Sequence, residues 1–123
     1  MKQANVSVWF EIPAANLGRA SRFYETLFGI ALRREAFGPF ELAVFPHVED
    51  AASGCLIHGD GFAPSEQGTV TYLNLADDLA DPLERVAQAG GAVLVGKTAL
   101  PTGGYFARIR DCEGNRVGLF SVK

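Results

Sequence analysis

Trp9 and Glu11 stand one strand step apart in "VWFEIP". In an extended chain alternate residues share a face, so an indole and a carboxylate sit side by side, with Phe10 and Ile12 on the opposite side. A carboxylate beside an indole must be hydrated, paired or protonated. Two chemistries follow. Glu11 could act as a base for a proton shift next to a carbonyl, or it could form an ion pair with Arg108 or Arg110 of "FARIRD" and hold the polar end of a small molecule. The alternative is a plain structural ion pair at a sheet edge.

Other reactive residues are few. Cys55 and His58 lie close in "GCLIHG", and His47 follows Pro46 in a loop further from the Trp9 strand. Cys112 falls at a turn, where an ordinary exposed thiol is expected. Two cysteines are too few for a disulfide framework and lack metal-type spacing. The turn "DCEGN" links two strand patterns near the C-terminus. Asp111 is expected to fold back and cap it, with Gly114 and Asn115 taking unusual backbone angles.

These residues must be positioned by alternating elements. Val6 to Ile12 reads as a strand. Asn16 caps a helix carrying Leu17, Ala20, Phe23, Tyr24 and Leu27 at helical spacing, and Gly29 ends it. Strands follow over 30–35, 40–45 and 54–58. After the turn-rich "GDGFAPSEQG" comes a strand over 70–75. A helix capped by Asp77 or Asp78 comes next, and then strands over 92–95, 105–110 and 116–122.

Both halves share the order strand-helix-strand-strand-strand, and "WFEIPAANL" matches "VTYLNLADDL". The reading is an α+β fold of two tandem βαβββ modules, about 4–59 and 68–123, joined by a linker over 60–67. Paired modules form a curved mixed sheet around a cleft, with the helices outside. Such a cleft suits a small ligand. In it we place Trp9, Glu11, Thr71, Tyr105, Arg108, Gly118 and Phe120.

The 123-residue chain carries a formal charge of −3, which gives no reason to expect nucleic acid. No apolar run nears the roughly 20 residues of a membrane span, and no signal-peptide pattern is visible at the N-terminus, so a cytoplasmic protein is expected.

The segments "WFEIPAANLGRASRFYETLFGI", "GTVTYLNLADDL" and "GGYFARIRDCEGNRVGLF" resemble the joints of the vicinal oxygen chelate superfamily. This group includes glyoxalase, extradiol dioxygenases and the bleomycin- and fosfomycin-resistance proteins. The resemblance implies the two-module fold, a homodimer with modules paired within or across chains, and a divalent metal held by two donors from each module. In this sequence those positions fall on Trp9, on Val70 or Thr71, near Cys55 or Leu56, and on Gly118. An indole offers no lone pair, and valine and glycine offer no donor. Cys55 and His58 are the only candidate ligands, too few for a closed site. No cofactor is therefore expected, and a divalent metal is kept as the alternative. The favoured reading is a binding protein for a small, partly apolar molecule. The alternatives are a metal-dependent lyase, isomerase or dioxygenase, and a metal-free enzyme with Glu11 as base. Gly118 is expected to face Trp9 and make room for its ring.

Overall fold

The structure, a computed structural model, describes residues 5–123. The start of the first module at Ala4 lies outside the described residues. The chain runs β1 (Trp9–Pro13), α1 (Leu17–Phe28), β2 (Arg33–Phe37), β3 (Phe40–Val44), β4 (Ser53–His58), β5 (Tyr72–Asn74), α2 (Ala80–Ala89), β6 (Ala92–Ala99), β7 (Tyr105–Arg110) and β8 (Arg116–Ser121). The repeated element order is thus present. Strand β5 is shorter than its hydrophobic pattern suggests. Val70 and Thr71 approach β8 without joining a regular ladder, although Thr71 C=O accepts from Gly118 N–H at 2.9 Å.

Each module makes one mixed four-stranded sheet, in the order β1-β4-β3-β2 for the first and β5-β8-β7-β6 for the second. In each, the first strand runs parallel to the last strand to its immediate side, since a helix carries the chain across. Glu11 pairs with Cys55, and Tyr72 pairs with Gly118. The modules therefore set Glu11 and Tyr72 at matching positions, and likewise Cys55 and Gly118. This register matches Val70, rather than Thr71, with Trp9.

Helix α1 begins where expected. Asn16 Oδ1 accepts from Arg19 N–H at 3.0 Å, and Gly29 closes the helix at φ 65°. Its buried stripe is Leu17, Ala20, Phe23, Tyr24 and Leu27. Helix α2 departs from expectation. Leu79 holds the N-cap position and has no side chain able to cap. Two neighbours compensate: Asp78 Oδ1 accepts from Ala80 N–H at 2.9 Å, and Ser121 Oγ accepts from Leu79 N–H at 3.1 Å.

The two sheets do not close into one. Both helices and one face of each sheet share a single core, including Ile12, Phe23, Leu27, Leu56, Leu73, Val86, Ile109 and Leu119. Burying each such side chain stabilises the fold by about 1.5–3 kcal/mol. The helices pack on each other rather than lying apart outside a common cleft. Arg85 Nη2 donates to Leu27 C=O at 2.7 Å across that contact. Gly91 sits there because a Cβ would meet Arg110 O and the Phe23 ring. Strands β1 and β5 are each a sheet edge, and a groove of about 790 Å³ runs between the modules, lined by Phe10, Ile30, Phe45, Thr71 and Leu75 among others.

Candidate functional site

Strand alternation decides which side chains leave the core. On β1, Phe10 and Ile12 pack inward, while Trp9 and Glu11 are exposed on the outer face. Cys55 of the neighbouring strand lies on that same face, fully buried with Val44 and Ile57. On β7, Ala107 and Ile109 are core, so Phe106 and Arg108 face outward. On β8, Val117 and Leu119 are core, leaving Gly118 and Phe120 outward.

The outer face of the second sheet holds a smaller pocket. Its volume is about 430 Å³, and Tyr72, Asn74, Leu100, Phe106, Arg108 and Phe120 line it. Gly118 explains its floor. A Cβ at this position would collide with the Tyr72 ring, so only glycine lets the phenol lie across β8. From there Tyr72 Oη accepts from Arg108 Nε at 2.7 Å. The guanidinium carbon is 5.0 Å from the Phe106 ring centroid and 5.9 Å from that of Tyr72, within cation–π range.

Several expectations change. Gly118 makes room for Tyr72, on its own sheet, and not for Trp9, which belongs to the other sheet. Tyr105 does not line the pocket; it alternates to the core side, where Lys97 Nζ lies 4.5 Å over its ring. Phe106, one residue on, takes its place, and strand parity alone would have identified it. Tyr72 and Asn74 were also missed, although Tyr72 follows Thr71 and shares the face of Arg108. Thr71 lines the intermodule groove rather than the aromatic pocket.

Glu11 does not meet either arginine. Arg108 is held by Tyr72, and Arg110 Nη1 lies 3.0 Å from Glu66 Oε1. Among the described residues, Glu11 makes no side-chain hydrogen bond or ion pair. Trp9 is 43% exposed and fills no interior void. His47 stands edge-on to it at 6.4 Å, nearer than its loop position suggested.

The metal-ligand candidates are otherwise engaged. His58 Nδ1 is 2.9 Å from Ala14 O, tying β4 to the loop before α1. Cys55 is fully buried, and that burial, with Glu11 nearby, pushes its thiol up to about 11. Among the described residues no three His, Cys, Asp or Glu side chains gather in a metal-sized cluster. The donor set at the superfamily positions, Trp9, Val70, Cys55 and Gly118, does not fit a divalent ion.

The turn "DCEGN" links the modules. Asp111 Oδ1 accepts from Glu113 N–H and Asn115 N–H, both at 2.9 Å, which is the expected fold-back. Gly114 takes φ 97°, whereas Asn115 contributes through its side chain. Its Nδ2 donates to Pro13 O at 2.7 Å, and its Oδ1 accepts from Ser65 N–H at 3.1 Å. Glu113 accepts from Asn16 N–H at 2.8 Å and from Arg19 Nε at 2.6 Å. Cys112 is half-buried rather than exposed, and burial and Glu113 push its thiol up to about 12.

Two βαβββ sheets packed through their helices define a two-module α+β scaffold. Residues 7–119 match the Glyoxalase/Bleomycin resistance protein/Dioxygenase superfamily, and the chain belongs to it. Solved structures share the fold at low identity. A hypothetical protein SA1046 from S. aureus is 20% identical, covers 97% of this chain and 95% of its own, and superposes at TM-score 0.68. A glyoxalase-related enzyme from Fulvimarina pelagi is 19% identical, with coverage of 97% and 88% and TM-score 0.66. Glyoxalase I from Zea mays is 20% identical at TM-score 0.66; the match covers 93% of this chain but only 45% of the maize protein. No curated protein matches the sequence. No helix of the described residues is long and apolar enough to cross a membrane.

Proposed function

We propose that this chain binds a small, partly apolar molecule on its cleft face without the superfamily metal. One observation carries the reading: the positions that would supply metal donors hold an indole, a valine, a single buried thiol and a glycine, and that glycine underlies an aromatic pocket. Removal of donors and addition of rings favours recognition by shape and organic polar groups. A homodimer fits the same reading. Edge strands β1 and β5 carry unpaired backbone groups, and Trp9 is 43% exposed, surface that a second copy would cover. The cytoplasm is the proposed location.

The test is elemental analysis of protein purified without added metal, alongside light scattering. The reading expects substoichiometric zinc, nickel, manganese and iron and a mass twice that of one chain. A stoichiometric metal whose removal abolishes ligand binding would overturn it in favour of a metal-dependent enzyme. A second reading, a metal-free enzyme, draws on the exposed Glu11, which has no ion-pair partner among the described residues. It requires that Glu11→Gln abolish turnover while ligand affinity is kept.

A further inference from the structure

We infer that the pocket on the second sheet selects a planar anion: a carboxylate carried on a flat apolar body. This rests on the cleft-binding reading and names the ligand class for it. The argument starts from Arg108. Guanidinium has five N–H donors in a rigid plane and cannot give up its charge. The Nε–H is used by Tyr72 Oη at 2.7 Å. The rings of Phe106 and Tyr72 flank the group at 5.0 and 5.9 Å. Rotation is thereby restricted, and the terminal Nη1 and Nη2 groups remain as a fork suited to the two oxygens of a carboxylate.

Charge accounting points the same way. Arg108 has no carboxylate within ion-pair distance among the described residues, whereas Arg110 on the same strand face is matched by Glu66 at 3.0 Å. Arg116, across from Arg110, donates Nη2 to Gly68 O at 3.3 Å, a neutral acceptor. The face is therefore locally positive on a chain of net charge −3. Aromatic walls lower the local dielectric and strengthen attraction between Arg108 and an anion. They also set the shape of the guest. Phe106, Phe120 and Tyr72 present ring surface, and Leu100 closes one side. Asn74 adds a polar group: its Oδ1 is taken by Ala76 N–H at 2.9 Å, which leaves the amide nitrogen as a donor. A cation would be repelled, and a neutral apolar guest would leave the guanidinium fork desolvated without a partner.

The experiment uses the full chain and two nearly isosteric probes, 2-naphthoate and 2-naphthalenemethanol, titrated by calorimetry, with amide shifts of Tyr72, Asn74 and Phe120 locating the site. The expected result is binding of 2-naphthoate at least about tenfold tighter than the alcohol, as a charge-assisted bidentate contact implies. In Arg108→Gln the two affinities should converge, and added salt should weaken only the carboxylate. Arg108→Lys keeps the charge but loses the fork, so the preference should shrink there too. This second variant carries the test should Arg108→Gln not fold. Equal affinities in the wild type, or a preference that survives both variants, overturn the anion assignment while the cleft reading stands. If neither probe binds, both are overturned.

Discussion

Tyr24 Oη donates to Asp111 Oδ2 at 2.6 Å, joining the middle of α1 to the β7–β8 turn of the other module. Both residues are buried. Tyr24→Phe should remove this bond and cost about 1–3 kcal/mol, read from urea unfolding. Burial, with Asp111 beside it, holds the Tyr24 phenol well above its ordinary 10.0. A raised folded-state pKa contributes stability that is present below about pH 10 and lost as pH rises. The gap between wild type and variant should therefore narrow in alkali. A constant gap up to and beyond pH 10 would show that ionisation of Tyr24 is not linked to folding.

Acid should act through Glu113. Burial alone would raise its pKa, but the Arg19 guanidinium, the Asn16 N–H and the Cys112 thiol together hold it below the ordinary 4.5. A depressed carboxylate contributes stability above its unfolded pKa, and this is lost as pH falls through the folded value. Glu113→Gln should lower the thermal midpoint at neutral pH and flatten its decline below about pH 4.5. Matching acid profiles for the two proteins would show that Glu113 has no part in acid stability. Since Arg19 is half exposed, the effect should be modest and weaken in salt.

Gly118→Ala should move Tyr72. The new methyl group occupies the space of the phenol ring, so the Tyr72–Arg108 bond breaks and the pocket floor tilts. We expect destabilisation of about 1 kcal/mol or more from overpacking, with loss of affinity for any pocket ligand. Unchanged amide shifts at Arg108 in the variant would show that the ring relaxes without disturbing its partner.

Neither thiol should label readily in the folded protein near neutral pH. Cys55 is fully buried and raised to about 11, and Cys112 is raised to about 12. Both should react once urea unfolds the chain. Fast native labelling of Cys112 would mean that the turn opens away from Arg19 and Glu113.

The frame of the molecule was legible because periodicity is a local signal. The stripe of Leu17, Phe23 and Leu27 predicts α1, and the alternation around Ile109 and Leu119 predicts which faces are core. Side-chain partners across the sheet were not legible. Gly118 brings no side chain, yet which ring fills its space depends on the register of β5 against β8. Glu11 and Arg108 stand on different sheets, a separation that alternation within each strand does not encode. Tyr105 and Arg108 have opposite parity on β7, so the two cannot share the pocket face. The role of "DCEGN" as an intermodule link was invisible, since its partners Pro13, Asn16, Arg19 and Tyr24 lie almost a chain length away.

That distance has a consequence for synthesis. At the entrance to α1, Asn16 N–H donates to Glu113 and Pro13 C=O accepts from Asn115, partners synthesised 97 and 102 residues later. The first module emerges early but must wait, with its helix entrance unfastened, until the "DCEGN" turn has also left the ribosome. A nascent chain stalled before Asp111 should be cut by protease within the first module, and extension through β8 should protect it.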